Sequence, residues 1–280
     1  MTVGVVTDSA CSLPAELAAA NGVVVVPMHV NVGGETYRDG ELGLEEVAAK
    51  LGQGLSTSGP APGELVDAIE AADSGDGVAV LTISSQMSST HRAALLAKTV
   101  LGGKRRVAVL DTGTAAGAQG LVVLAAARAA LAGQDLDKVA AAAEGAAQGV
   151  RLLATLPSLE QLARSGRVPG AAAWGAAWLG LNPLFEFQKG KVRPLRPSRS
   201  PQAAHRRLVE AFYADLDRAP GRRAHVAALH SMDEAVAKAL LDDVYRRVEP
   251  ASAFVGSFSS VMLAHTGPGL AGLAWWLEGA

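Results

Sequence analysis

Cysteine, aromatic residues and blocks of charge are all scarce in this sequence. The chain of 280 residues has one cysteine, Cys11, which excludes an internal disulfide framework and favours a reducing compartment. Aromatic residues make up 4%, too few for the stacking platforms that bind single-stranded nucleic acid. The net charge is −2 and there is no long block of lysine and arginine, so no nucleic-acid partner is expected.

Long apolar runs and familiar catalytic motifs are also missing. The most apolar windows, 121–131 and 171–181, are too short or too interrupted to span a bilayer, and the first residues read as a strand instead of a signal peptide. We therefore expect a soluble, cytoplasmic protein. The sequence contains no nucleophile elbow, phosphate loop or paired metal ligands, and its six histidines are scattered, so neither a metal nor a cofactor is expected. Cys11 follows Asp8-Ser9 without an adjacent base, which favours a small packing residue over a nucleophile.

Apolar residues, at 49%, are abundant and follow regular patterns. In the first half, apolar strands at 3–6, 23–26, 78–83 and 107–110 alternate with helical patterns, which predicts a mainly parallel sheet. The second half predicts a hairpin over 183–195, a helix opened by Ser200-Pro201, a strand at 224–229 and a helix after a capping box at 231–234. We predict two α/β domains, residues 1–155 with a mainly parallel sheet and residues 156–280 with a mixed sheet.

Polar side chains gather where these predicted strands end. Hydroxyl-rich turns lie at 7–9, 57–60 and 84–90, and ligands of parallel sheets bind at the carboxyl ends of strands. A further corner, residues 264–269, carries His265 and Thr266, and we predict that it precedes a last helix over 270–277, whose N-terminus would attract an anion. Its glycines match a dinucleotide fingerprint, but the required second strand and acidic residue are missing. Hydroxyls with one histidine favour a carboxylate-binding site; a hydrolase or acyltransferase using Ser88 or Ser9 with His265 is the alternative.

Several segments together resemble the DegV-type family, the fatty-acid-binding subunits of bacterial fatty acid kinase. These segments, spread across almost the whole chain in the family's order, are Val5-Val6-Thr7-Asp8-Ser9, Val26-Pro27, Tyr37-Arg38-Asp39-Gly40, Thr57-Ser58 with Pro60 and Pro62-Gly63-Glu64, Ile83-Ser84-Ser85 with Ser88 and Thr90, Asp111-Thr112, Ser165-Gly166-Arg167 and Ala264-His265-Thr266-Gly267-Pro268-Gly269.

The resemblance implies a two-domain α/β protein that buries one long-chain fatty acid between its domains. It implies that Thr57, Ser88 and His265 bind the carboxylate, and that a separate ATP-dependent kinase subunit then forms an acyl phosphate. A carrier of this kind has no nucleotide site of its own and makes transient membrane contact when it exchanges its ligand.

The resemblance also implies supporting and kinase-facing residues. The supporting residues are Ser58, Ser89, Thr90, Thr266 and Gly267, and the kinase-facing or phosphate-handling ones are Arg199, then Arg196, and Arg167. The tunnel candidates are Trp174, Trp178, Leu179 and Leu181. Two family glycines are replaced, by Ser89 and within Met262-Leu263-Ala264, and a family tyrosine is replaced by His91, so we expect an altered turn and an altered ligand preference.

Overall fold

A computed structural model describes residues 2–168, 170–171 and 180–279. The strands are β1 (Gly4–Asp8), β2 (Val23–Val26), β3 (His29–Val32), β4 (Glu35–Arg38), β5 (Ser56–Ser58), β6 (Val78–Thr82), β7 (Val107–Asp111), β8 (Arg151–Thr155), β9 (Asn182–Gln188), β10 (Lys191–Ser198), β11 (Arg223–His230), β12 (Ser252–Ser257) and β13 (Ala271–Glu278). The helices are α1 (Ala15–Ala20), α2 (Leu44–Ala49), α3 (Pro62–Ala72), α4 (Thr90–Leu101), α5 (Ala116–Leu131), α6 (Leu136–Gly149), α7 (Glu160–Arg164), α8 (Pro201–Arg218), α9 (Glu234–Tyr245) and α10 (Ser260–Thr266).

A four-stranded parallel sheet organises the first half of the chain. Its strand order is β2-β1-β6-β7, and every neighbouring pair is parallel. All five residues of β6 are buried, which explains why this strand reads as a continuous apolar run without alternation. The predicted parallel sheet is confirmed.

A six-stranded mixed sheet organises the second half. Its order is β10-β9-β8-β13-β11-β12, with one parallel pair, β11 and β12, and antiparallel pairing elsewhere. The predicted hairpin and the predicted mixed sheet are both confirmed. Because β8 is hydrogen-bonded into this sheet, a boundary drawn from the sheets falls before Arg151; the domain limit at 155 and 156 stays a prediction.

A small third sheet was not predicted. Strands β4, β3 and β5 pair antiparallel, and β5 is only three residues long. Such a strand is too short to carry a periodic signal in the sequence. The register nevertheless matters, because Thr57 of β5 pairs with the buried Val30 of β3.

The end of the chain differs from the prediction. The segment predicted as a last helix over 270–277 is strand β13, and the residues just before it form helix α10. Strand β13 lies between β8 and β11, with its first five residues buried, so its sequence lacks the polar alternation that marks a half-exposed strand. His265 therefore lies in the last turn of a helix, and the expected helix N-terminus after it is wrong.

The predicted capping box at 231–234 is also wrong. Helix α9 begins at Glu234 after Asp233, whose side chain makes no capping hydrogen bond. Ser231 instead donates its hydroxyl to the carbonyl of Gly267, 3.1 Å away, and accepts from the amide of Leu270 at 2.9 Å. Ser231 thus fixes the turn that joins α10 to β13.

Candidate functional site

A cavity of about 750 Å³ lies between the two large sheets. The six-stranded sheet contributes Leu152 and Ala154 of β8 and Phe185 and Phe187 of β9, each pair two residues apart and thus on one face. The opposite wall comes from the loops after β6 and from the start of α5, and α10 adds Val261 and Met262. The volume lies within the range of ligand cavities, roughly 300–1,000 Å³. The described lining is dominated by apolar side chains, as a hydrocarbon ligand requires.

One end of this cavity is polar. Thr57 of β5 and His265 of α10 both line it, and Thr57 Oγ1 lies 2.7 Å from His265 Nε2. These residues are 208 positions apart, so only the packing of α10 against the small sheet brings them together. The pair brings a hydroxyl and an imidazole together at the polar end of the cavity.

Ser88 reaches the same region through a tight turn before α4. Its Oγ lies 2.8 Å from Thr90 Oγ1. Gly59, two residues after Thr57, packs so closely that an added Cβ would stand 2.5 Å from Thr90 Oγ1 and 3.5 Å from Ser88 Oγ. The missing side chain of Gly59 therefore allows the Thr57 and Ser88 segments to approach.

Asp39 fixes the helix that carries His265. Its Oδ1 accepts from the amide of Val261 in the first turn of α10 at 3.1 Å, and its Oδ2 accepts from the Ser9 hydroxyl at 2.5 Å. The Ser260 hydroxyl adds a bond to the carbonyl of Leu42 at 2.8 Å. Asp39 thus supplies from a distant loop the capping acceptor that helix N-termini need.

Two pKa shifts describe the electrostatics of the site and its surroundings. Desolvation, and after it the positive charge of Arg167, lowers the pKa of His265 to about 4, so its imidazole is neutral near pH 7. Burial raises the pKa of the Cys11 thiol to about 12. A thiol held protonated in this way is a poor nucleophile, which agrees with the packing role expected for Cys11.

Some of the other predicted site residues lie at the cavity wall, and the rest lie outside it. Ser58, Ser89, Thr266 and Arg167 line the cavity, and the buried Thr90 contacts the Ser88 hydroxyl. Gly267 is not among the lining residues; it ends α10 with a φ of +73°. Arg196 and Arg199 are exposed at and just beyond the end of β10, outside the cavity lining.

The tunnel candidates fall mostly outside the residues that the structure describes. Trp174, Trp178 and Leu179 lie outside the described residues, and Leu181 is half-buried but does not line the cavity. The sequence reasoning missed Phe185, Phe187 and Phe258, together with three methionines, Met28, Met87 and Met262. The spacing of two between Phe185 and Phe187 was the available signal, because it places both rings on one face of the predicted hairpin.

Two of the replaced family positions, Ser89 and His91, lie beside the polar end of the cavity. Ser89 has a φ of −77°, which any residue adopts, so serine is accommodated in this turn without strain. The altered turn and the altered ligand preference stay predictions. His91 lines the cavity, with its Nδ1 3.2 Å from Thr82 Oγ1. An imidazole therefore stands in the wall where the family pattern has a phenol.

The enzyme alternative gains no support from the serine contacts. The Ser9 hydroxyl bonds Asp39 and accepts from the Met28 amide at 3.0 Å, and the Ser88 hydroxyl contacts Thr90. A Ser–His nucleophile requires the serine oxygen within hydrogen-bond reach of the imidazole. The hydrogen bond found at His265 Nε2 is to Thr57.

Neither a metal cluster nor a membrane span is found in the part of the chain that the structure describes. Over residues 2–168, 170–171 and 180–279, no three His, Cys, Asp or Glu side chains are grouped to hold a metal ion. Within the same ranges, no helix combines the length and apolar character needed to cross a bilayer.

Comparison with known proteins gives a consistent assignment. A DegV domain-containing protein from Mycobacterium tuberculosis is 35% identical over 280 residues, covering 98% of this chain and 96% of that protein. A fatty-acid-binding DegV family protein from Thermus thermophilus is 33% identical, covers 99% and 100% of the two chains and superposes with a TM-score of 0.89. DegV from Bacillus subtilis, described as a fatty acid binding protein, is 26% identical, covers 99% and 100% of the chains and has a TM-score of 0.85. The DegV family model itself matches residues 2–278. This chain belongs to the DegV family.

Proposed function

We propose that this chain binds one long-chain fatty acid in the cavity between its sheets and presents the carboxylate to a separate ATP-dependent kinase subunit. The observation that carries the proposal is an apolar cavity of about 750 Å³ that ends on Thr57, Ser88 and His265. The fatty-acid-binding relatives from Thermus thermophilus and Bacillus subtilis support the same ligand class.

The energetics of transfer favour a long chain. A sixteen-carbon acid has about 14 methylenes, and burying them at about 0.8 kcal/mol each releases on the order of 11 kcal/mol before ordering costs. Phe185 and Phe187 on one wall and Met262 on another offer the contact surface. Methionine adapts its shape to an irregular ligand, which suits a bent or flexible acyl chain.

The carboxylate is held by hydrogen bonds at the polar end of the cavity. Thr57 and Ser88 donate hydroxyl hydrogens, and His265 donates its one ring N–H once the ligand replaces the contact between Thr57 and His265. Hydrogen bonds to a charged group contribute about 1.5–3 kcal/mol each, enough for three of them to offset desolvation of the head group. Ser58, Ser89, Thr90, Thr266 and Gly267 support these three residues by shaping the turns around them.

The chain acts as a carrier in this proposal and has no nucleotide site of its own. The kinase subunit brings ATP, and the product is an acyl phosphate. Arg199, with Arg196 as the second choice, faces the kinase from the exposed end of β10, and Arg167 handles the head group from the cavity wall. Because the proposed activity needs ATP and the kinase subunit, we expect it to take place in the cytoplasm.

In this proposal the protein contacts a membrane transiently when it exchanges its ligand, and helix α4 provides an apolar surface for that contact. Leu95, Leu96 and Val100 are exposed along this helix, and Leu95 also lines the cavity. Exposed apolar groups of this kind bind lipid surfaces weakly and reversibly. Serine at all three positions should slow fatty acid transfer from vesicles, whereas Leu131→Ser, an equally exposed leucine on α5, should not.

The first experiment is solvent extraction of the purified protein followed by mass spectrometry and rebinding. We expect one equivalent of a long-chain fatty acid, and about tenfold weaker rebinding in Ser88→Ala because one charge-assisted hydrogen bond is lost. Ser74→Ala is the matched control, because Ser74 is exposed, does not line the cavity and donates its hydroxyl to the carbonyl of Thr2. A protein that carries no fatty acid and takes up none refutes the proposal.

The kinase step is tested separately. Mixing the loaded protein with a fatty acid kinase catalytic subunit and ATP should give acyl phosphate, and Arg199→Ala should lower the rate without weakening fatty acid binding. Arg193→Ala, at an exposed arginine within β10, should behave as wild type. Acyl phosphate formed by the isolated chain from ATP would contradict the carrier assignment.

A further inference from the structure

A second, polar pocket shares a wall with the fatty acid cavity. It has a volume of about 280 Å³ and is lined by residues between α2 and β5, by α7 and by the end of α10. Thr57, Ser165, Arg167 and His265 line both spaces. A carboxylate on Thr57 and His265 therefore stands at the wall between an apolar cavity and a polar pocket.

The charges that line this pocket are positive. Among the described lining residues the ionised side chains are Arg164 and Arg167, and no carboxylate lines the pocket. Arg164 Nη2 forms an ion pair at 2.8 Å with Glu160, which leaves donors of the planar guanidinium to face the pocket. Arg167 uses one Nη1 hydrogen bond, 2.7 Å to the carbonyl of Ser165.

Two glycines keep the facing loop open beneath Arg164. Gly52 and Gly54 have φ angles of +82° and +75°, a region that other residues rarely adopt. A Cβ on Gly52 would stand 3.1 Å from Arg164 Nη1, so the guanidinium lies directly over this loop. The loop and α7 thus form the two sides of a small, positively charged recess.

We propose that this recess holds the phosphoryl group of the acyl phosphate, with Arg164 and Arg167 as its donors. The inference rests on the proposed function and assigns Arg164 as a phosphate-binding residue. Guanidinium groups match phosphate oxygens in geometry and charge. The acyl chain occupies the apolar cavity, the carbonyl stays at Thr57 and His265, and the added group extends through the shared wall.

A phosphoryl transfer from the kinase subunit fills the recess. A carboxylate oxygen of the fatty acid forms a bond to the γ-phosphorus of a nucleoside triphosphate held by the kinase subunit. The bond from that phosphorus to the β,γ-bridging oxygen breaks, and the nucleoside diphosphate leaves with the electron pair. Arg164 and Arg167 stabilise the negative charge of the transferred group, as cationic donors do in phosphoryl transfer.

The proposal is tested with a stable analogue and without any kinase. The β-ketophosphonate isostere of hexadecanoyl phosphate replaces the bridging oxygen by a methylene, and 2-heptadecanone is the same ligand without its phosphonate. Titration calorimetry should show that the wild-type protein binds the phosphonate at least tenfold more tightly than it binds 2-heptadecanone. In Arg164→Gln the phosphonate should lose about fivefold or more in affinity, a modest factor because this arginine is solvent-exposed.

The controls separate the recess from the fatty acid site. Hexadecanoate and 2-heptadecanone should bind Arg164→Gln within twofold of wild type, Arg164→Lys should recover part of the phosphonate affinity, and Arg193→Gln should bind all three ligands as wild type does. Equal losses for hexadecanoate and the phosphonate, or no loss for either, overturn the recess assignment. Failure of wild type to bind hexadecanoate instead refutes the proposed function, and with it this inference.

Discussion

The neutral imidazole of His265 is the group on which we expect both ligand binding and acid stability to depend. Its pKa is lowered to about 4 because the ring is desolvated and Arg167 is close. In the unfolded chain the pKa returns to about 6.5. Between these values the unfolded state binds a proton that the folded state does not, so acid destabilises the fold through this residue.

We expect His265→Gln to reduce the acid sensitivity of the fatty-acid-free protein. In wild type, the His265 contribution makes the free energy of unfolding fall as pH falls from about 6.5 towards 4, and between pH 7.5 and pH 5 it amounts to about 2 kcal/mol. The free energy of unfolding, measured by urea denaturation, should therefore differ less between pH 7.5 and pH 5 in the variant than in wild type, by about 2 kcal/mol. Burial raises the pKa of Asp8 to about 6, which makes stability depend on pH in the opposite direction. Because Asp8 is present in both proteins, its contribution cancels when the variant is compared with wild type.

Fatty acid loading provides the control for this pH effect. A carboxylate beside His265 favours its protonated form, so the loaded wild-type protein should lose less stability at pH 5 than the empty one. The same pH dependence in wild type and variant, both empty, would show that His265 titrates like an exposed histidine.

At the scale of elements, helix α5 decides how closely the two large sheets approach. Thirteen of its sixteen residues are buried, and it contacts β1 and β6 of one sheet and β8, β11 and β13 of the other. Its many alanines and glycines allow this close packing. A Cβ on Gly120 would stand 2.8 Å from the Cys11 carbonyl, and one on Gly117 would stand 2.7 Å from the Ala227 Cβ.

We expect Gly120→Ala to lower the free energy of unfolding by about 1–3 kcal/mol through overpacking against a backbone carbonyl that cannot move aside. Gly145→Ala in helix α6 is the matched control, because nothing lies within 4 Å of its added Cβ. There the better helix propensity of alanine should raise stability by about 0.5–1 kcal/mol. Chemical denaturation measures both, and a stabilised Gly120→Ala would disprove the tight contact.

At the scale of the whole molecule, the cavity belongs to neither sheet alone. The six-stranded sheet supplies Phe185 and Phe187, the start of α5 supplies Ala115 and Ala116, and the small sheet supplies Thr57. A ligand in this position contacts all of these parts of the fold together. Filling the cavity should therefore stabilise the molecule as a unit.

We expect hexadecanoate to raise the melting temperature of the delipidated protein by roughly 5–10 °C. At a free concentration one hundred times the Kd, binding adds about 2.7 kcal/mol, and each kcal/mol corresponds to about 2–4 °C for a protein near this size. Octanoate at the same concentration should have little effect, because about eight fewer methylenes are buried. Equal shifts for both acids would indicate that the carboxylate alone is recognised.

Much of the fold was predictable because its strands and helices carry strong local patterns. The buried strands β1 and β6, the hairpin of β9 and β10, and helix α8 with Ser200 as its cap were all evident from the sequence. The site residues Thr57, Ser88 and His265 came from the family resemblance, and their shared position at one end of the cavity agrees with it. Their roles as carboxylate ligands stay a prediction.

The sequence by itself determined the fold class, the membership of the family and the identity of the polar residues, since these depend on local periodicity and on motifs. Only the tertiary structure decided that residues 271–278 form a strand and residues 260–266 a helix. A strand enclosed by β8 and β11 loses its alternation, so local sequence cannot distinguish it from a helix. The Thr57–His265 contact and the arginine-lined recess likewise arise from packing between segments more than one hundred residues apart, a distance over which no local pattern carries information.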